Sequence, residues 1–195
     1  MASINPRQIE GAWTRGVALD VHTTSSRLVG ANAQGRPQFE TKRSELGELM
    51  YRLKYGGDRS AAAEIVRTAA TFLRSFREKF ELIVPVPPSA ARAIQPVIIL
   101  AKGIAEAVDR PMDDCVQTTR ATPQLKDVSD PEERRKLLEG LYTVEPAVTI
   151  GKHILLLDDL YRSGSTMNAV TYVLLNQGQA ASVRALAITY TRSNK

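Results

Sequence analysis

Residues 154–166 constrain this chain more than any other segment. Ile154-Leu155-Leu156-Leu157 is a continuous apolar run, and Asp158-Asp159 follows it directly. Leu160-Tyr161-Arg162-Ser163-Gly164-Ser165-Thr166 then leads into a stretch with Met167, Val170, Val173 and Leu174 at helical spacing. An unbroken apolar run of this length suits a strand buried on both faces, and such strands belong to parallel sheets covered by helices. The run predicts strand, short loop and helix, with two adjacent carboxylates delivered to the strand's carboxyl end. Open α/β sheets bind their ligands at that edge.

The flanking segments extend the same architecture. Phe80–Val86 reads as a short apolar strand. Ala93–Val108 reads as a helix, with Val97, Ile98, Leu100, Ala101, Ile104 and Val108 at core spacing. Met112–Gln117 and Ser182–Tyr190 read as further strands, and the helix after Thr166 ends near Gly178. From residue 80 the order is β-α-β-loop-β-α-β, which predicts a mostly parallel sheet. Upstream, Val17–Val21 alternates and Ser26–Ala31 resumes an apolar pattern across Thr23–Ser25, so a β-hairpin is expected. Gly30–Pro37 reads as a loop. Glu45–Tyr55 is a helix stopped by Gly56-Gly57, and Asp58 or Ser60 caps the next one. The expected organisation is one α/β domain over 1–195, with an N-terminal hairpin or hood through 1–60 and a ligand-binding core over 80–190.

Composition narrows the function classes. Cys115 is the only cysteine, and His22 and His153 are the only histidines. An intrachain disulfide and a Cys-based zinc ribbon are therefore excluded, and a His-rich metal site is not expected. No apolar run approaches the roughly 20 residues a membrane span needs. Met1–Gly11 lacks the apolar core of a secretory signal, so the expectation is a cytoplasmic protein without membrane association. Net charge is +5, which favours an anionic partner. Between Lys42 and Phe80, nine Lys or Arg face five Asp or Glu. They read either as solvated helical faces or as a basic wall toward an anion. His22 reads as an ordinary strand-end histidine, Cys115 as core, and Trp13 as packing.

The chemistry lies in the strand–diacid–loop–helix run. A helix N-terminus offers free N–H groups and partial positive charge. Gly164 permits close backbone approach, and Ser163, Ser165 and Thr166 add hydroxyls. Asp158 and Asp159 suit a vicinal diol, or Mg²⁺ held through water. The set fits a sugar phosphate.

Leu156–Thr166 resembles the phosphoribosyl pyrophosphate (PRPP) signature of the type I phosphoribosyltransferases. The resemblance implies their α/β fold, Mg²⁺ as cofactor, ribose contacts from Asp158 and Asp159, and 5′-phosphate binding by Arg162, Ser163, Gly164, Ser165 and Thr166. Arg162 departs from the small residue usual at that place. Within the superfamily, three stretches are similar to the ComF-like, competence-associated group: Leu53-Lys54-Tyr55-Gly56-Gly57-Asp58, Glu81–Pro87, and Thr122–Leu125 through Arg135 to Gly140-Leu141-Tyr142. The group's zinc-binding cysteines are absent here, and its Arg-Gly-Phe-Asn-Gln appears as Arg92-Ala93-Ile94-Gln95-Pro96.

On that resemblance Pro85–Ala91 is the pyrophosphate turn. Pro87 and Pro88 lack N–H groups, which leaves Val86, Ser89, Ala90 and Ala91 as backbone donors, with Arg92 and Lys54 in reach. The alternative is a Pro-rich strand terminator. Residues 118–140 are similar to the flexible active-site loop, which makes Arg134 and Arg135 candidates for stabilising the leaving pyrophosphate. Asp130–Leu138 also reads as a charged helix with Pro131 in its first turn. Two functions follow: transfer of the phosphoribosyl group to a nitrogenous acceptor, or PRPP or nucleotide binding without turnover. The second would suit a factor working with single-stranded DNA or a DNA-processing protein. A homodimer is a further expectation.

Overall fold

The structure is a computed structural model and describes residues 1–32, 34–75, 79–88, 94–121, 128 and 130–192. Its central sheet contains β1 (Arg7–Gln8), β2 (Arg15–Val21), β5 (Leu82–Pro85), β8 (His153–Tyr161) and β9 (Ser182–Tyr190). The spatial order is β1-β2-β9-β8-β5. β2, β9, β8 and β5 run parallel, and β1 closes one edge antiparallel.

Both faces of this sheet are covered, which is why β8 needs no polar alternation. Leu155 and Leu157 join one core together with Leu19, Leu186 and Ile188. That layer is roofed by α1 (Glu45–Gly56), α2 (Arg59–Ser75) and α3 (Pro96–Val108). Ile154 and Leu156 join the other core with Ala18, Val84, Met167 and Val170. Its cover is α6 (Ser165–Asn176), Trp13, and a two-stranded pair of β6 (Val116–Thr118) and β7 (Tyr142–Val144). Two helices complete the chain: α4 (Pro131–Leu138), capped by Asp130, and the short α5 (Pro146–Thr149). Among the described residues no helix is long and apolar enough to cross a membrane.

The N-terminal region differs from the expected hairpin. β2 pairs with β9, not with the strand that follows it. β3 (Thr23–Ala31) pairs instead with β4 (Pro37–Arg43), a strand the sequence did not suggest, and the two form a separate exposed ribbon. The reason lies on the second face of β2. Its alternation of Val17, Leu19 and Val21 suggested a one-faced strand, but Ala18 and Asp20 between them are also buried. A strand buried on both sides belongs inside a covered sheet. Residues 1–60 therefore do not form a hood apart from the core, and only the β3–β4 ribbon stands off. The strand expected over Met112–Gln117 does not join the parallel sheet: β6 begins at Val116 and pairs antiparallel with β7, and Met112 makes only an isolated bridge to Ile83, while α3 begins at Pro96.

α1 lies unusually close to the end of β2. Ser44 caps the helix, its Oγ accepting from Gly47 N at 3.0 Å and donating to the Val21 carbonyl. A Cβ on Gly47 would lie 2.1 Å from the His22 carbonyl oxygen. The missing side chain lets helix and strand end meet backbone to backbone.

Candidate functional site

The candidate site is the carboxyl edge of the parallel strands. β8 carries Asp158 and Asp159 there, still paired with β9, since Asp158 lies opposite Ala187 and Leu160 opposite Thr189. The carboxylates thus sit within the rigid strand rather than in the loop beyond it. Successive strand residues face opposite sides, and the contacts follow that rule. Asp159 Oδ2 accepts from Lys54 Nζ of α1 at 3.2 Å. Asp158 lies on the opposite side, near Tyr142 of β7, and its Oδ1 accepts from Asp159 N at 2.8 Å.

The two carboxylates differ electrostatically. Burial, then repulsion from Asp159, pushes the Asp158 carboxyl well above the ordinary carboxylate range. Burial and the Asp158 charge push the Tyr142 phenol up to about 12. Asp159 has Lys54 as its counter-ion.

Beyond β8, residues 162–166, the candidate anion loop, form a short turn that leads into α6. Gly164 takes φ 75° and serves as N-cap of α6 without a side chain to cap it. The first N–H groups of a helix have no intrahelical partners, so they face the loop. Ser163 and Ser165 hydroxyls lie 2.9 Å apart. Arg162 and Ser163 are exposed, and Thr166 is partly so. A Cβ on Gly164 would come within 2.8 Å of the Tyr161 ring, which packs over the turn. Tyr161 in turn meets Trp13 edge-on at 6.3 Å, and Trp13 is buried, as packing requires.

The two loop arginines separate. Arg134 reaches from α4 to Ser163 Oγ at 3.5 Å and donates to the Val128 carbonyl. Its Nε is buried and has no hydrogen-bond partner among the described residues. Arg135 faces solvent and is bound by Glu132 at 2.7 Å. The structure brings only Arg134 to the anion loop. Val86 requires a correction as well: its N–H donates to the Leu157 carbonyl at 2.8 Å and so extends the β5–β8 ladder. It is not a free donor for pyrophosphate. Ser89, Ala90, Ala91 and Arg92 lie outside the described residues.

The edge gathers one further group that its sequence position did not mark. His22 follows β2 directly, with Nδ1 3.1 Å from Thr189 Oγ1, which donates to the Asp159 carbonyl at 3.1 Å. Had β2 been read as a central parallel strand, the next residue would have fallen on this edge. Among the described residues no cluster of three or more His, Cys, Asp or Glu could hold a metal alone. Two carboxylates fit an ion that keeps waters and shares oxygens with a bound phosphate ester.

Comparison with known proteins supports the fold. No family model matches the chain. Competence protein ComFC of Bacillus subtilis (strain 168) is 30% identical over 146 residues, which cover 72% of this chain and 58% of the relative. The chain thus spans a little over half the length of that relative. Adenine phosphoribosyltransferase from Saccharomyces cerevisiae shares the fold, with TM-score 0.51 at 12% identity, covering 85% of this chain and 84% of that one. Glutamine PRPP amidotransferase from B. subtilis matches with TM-score 0.50 at 16% identity, over 80% of this chain and 34% of that one. The chain is a ComF-like protein built on the phosphoribosyltransferase fold.

Proposed function

We propose that the chain binds PRPP with Mg²⁺ and transfers its phosphoribosyl group to a nitrogenous acceptor, releasing pyrophosphate. The observation that carries this reading is the juxtaposition at the end of β8: two carboxylates, a helix N-terminus capped by Gly164, and Arg134 against Ser163. Ribose hydroxyls donate to Asp158 and Asp159. The 5′-phosphate sits on the N–H groups and hydroxyls of residues 162–166. Accepting hydrogen bonds from the ribose diol favours an ionised Asp158, so ligand binding drives off the proton that burial favours. Mg²⁺, when bound with PRPP, supplies neutralisation of the pyrophosphate charge. Arg134 adds a cation as negative charge grows on the leaving group.

Calorimetric titration with Mg·PRPP tests the reading, with the Asp158→Asn/Asp159→Asn double variant as control. Binding by the wild type alone is expected. No binding by the wild type, or equal binding by both, refutes the site.

A second reading is favoured by the likeness to a competence protein: nucleotide binding without turnover, in a factor that handles DNA. It expects tight Mg·PRPP binding but no pyrophosphate release with any base or amine. It also expects single-stranded DNA affinity that falls steeply with salt. Sedimentation over a concentration series tests the homodimer.

A further inference from the structure

A nitrogen nucleophile sheds a proton on transfer, and His22 stands at the same sheet edge as Asp159. His22 is held firmly: its backbone N–H donates to the Tyr190 carbonyl at 2.7 Å, and its own carbonyl lies against Gly47 of α1. Nδ1 is 3.1 Å from Thr189 Oγ1, and Thr189 is fully buried. A hydroxyl carries one proton. That of Thr189 goes to the Asp159 carbonyl at 3.1 Å, because a carbonyl can only accept. Thr189 must therefore accept from His22. This makes Nδ1 the protonated nitrogen and leaves a lone pair on Nε2. Nε2 makes no hydrogen bond among the described residues, and the side chain is partly exposed at the Asp159 edge.

The charges facing the ring come from four elements: Arg43 of β4, Lys54 of α1, Asp159 of β8 and Arg162 of the anion loop. Three cations outweigh one carboxylate. Burial first, and then these cations, lowers the ring below its ordinary value and keeps it neutral.

We propose that His22 Nε2 accepts the proton of the incoming nitrogen nucleophile, with Thr189 as the positioning residue that fixes its tautomer. This rests on the phosphoribosyl transfer proposed above. In the step, the acceptor nitrogen's lone pair forms the N–C1 bond. The C1–O bond breaks, and its electron pair leaves on pyrophosphate. The proton on the acceptor nitrogen passes to His22 Nε2. Three cations around the ring disfavour a cationic acceptor, so the acceptor class is a neutral N–H compound.

Two measurements test this. Long-range ¹H–¹⁵N spectra report the tautomer directly, and with only two histidines the His153→Asn variant assigns them. A neutral Nδ1–H form of His22 at pH 7 is expected, lost to a mixture in Thr189→Val. An Nε2–H or charged ring overturns the proposal. The second measurement is pyrophosphate release from Mg·PRPP, with hydroxylamine and adenine as probe nucleophiles, across pH. His22→Asn keeps a donor toward Thr189 but has no second ring nitrogen. It should bind Mg·PRPP as the wild type does and release pyrophosphate about 100-fold more slowly. The wild type's acid limb, centred below 6.5, should vanish. Equal release by both proteins, including release at the background rate, removes His22 while leaving PRPP binding standing. Failure of the wild type to bind Mg·PRPP removes the underlying reading as well.

Discussion

Lys54 Nζ and Asp159 Oδ2 meet at 3.2 Å across 105 residues of sequence. The pair pins the last turn of α1 to the end of β8 and gives one of the two carboxylates a fixed counter-ion. Lys54→Gln removes that charge. The pair is only partly buried, so the stability cost is about 1 kcal/mol or less, measured by urea unfolding. The affinity for Mg·PRPP should fall by roughly tenfold. An unchanged affinity would place Lys54 outside the ligand's reach.

Asp158 should make stability and binding depend on pH in opposite senses. Its folded-state value is raised above that of an unfolded Asp. Its contribution to stability is therefore full below about pH 4 and is lost as pH rises through the raised value. Asp158→Asn cancels this loss, so the variant gains on the wild type between pH 5 and pH 9 in denaturant titrations. Binding of Mg·PRPP at neutral pH should release protons, detected as a dependence of calorimetric heat on buffer ionisation enthalpy. A wild-type binding heat that is the same in every buffer would show that Asp158 keeps its charge state when ligand binds.

Gly47→Ala should run against helix propensity. In an exposed helix interior the change stabilises by about 1 kcal/mol. Here the new Cβ would meet the His22 carbonyl at 2.1 Å, and backbone cannot move aside cheaply. A loss of about 2–4 kcal/mol is expected by analogy with other overpacked sites. A variant as stable as the wild type would show that α1 and the end of β2 are not in close contact.

Gly164→Ala combines a left-handed backbone, φ 75°, with a Cβ 2.8 Å from the Tyr161 ring. We expect about 1–2 kcal/mol of destabilisation, together with weaker phosphate binding. Phosphate titration followed by backbone amide shifts in residues 162–167 reads both effects.

The arginines of α4 should behave unequally. Arg134→Ala should cut Mg·PRPP affinity by about tenfold or more, since its guanidinium borders Ser163 and retains an unspent Nε–H. Arg135→Ala should stay within twofold, because Arg135 is engaged by Glu132 on the solvent side. Equal losses would show that α4 turns when ligand binds.

The parallel core was legible because it rests on local pattern. Ile154–Leu157 could be nothing but a doubly covered strand, and Ser182–Tyr190 was read to the residue. The turn into α6 was legible for the same reason: Gly164 and its hydroxyl neighbours are adjacent in sequence. What could not be read depends on long-range pairing. β2 looked half-exposed because Ala18 is small, although Ala18 is fully buried in the core of the second face. Once β2 was misplaced, His22 could not be assigned to the ligand edge, nor β4 to a ribbon. The difference between Arg134 and Arg135 was equally hidden, since a single residue of helical rotation separates the site from solvent.

The alternation of Asp158 and Asp159 across β8 has one further consequence. Each carboxylate faces a different cover of the sheet: Asp159 meets Lys54 of α1, and Asp158 lies near Tyr142 of β7. Drift in α1 would act first on Asp159 and reach Asp158 through the repulsion between the two carboxylates. Two groups joined by a single peptide bond thus answer to opposite covers of one sheet.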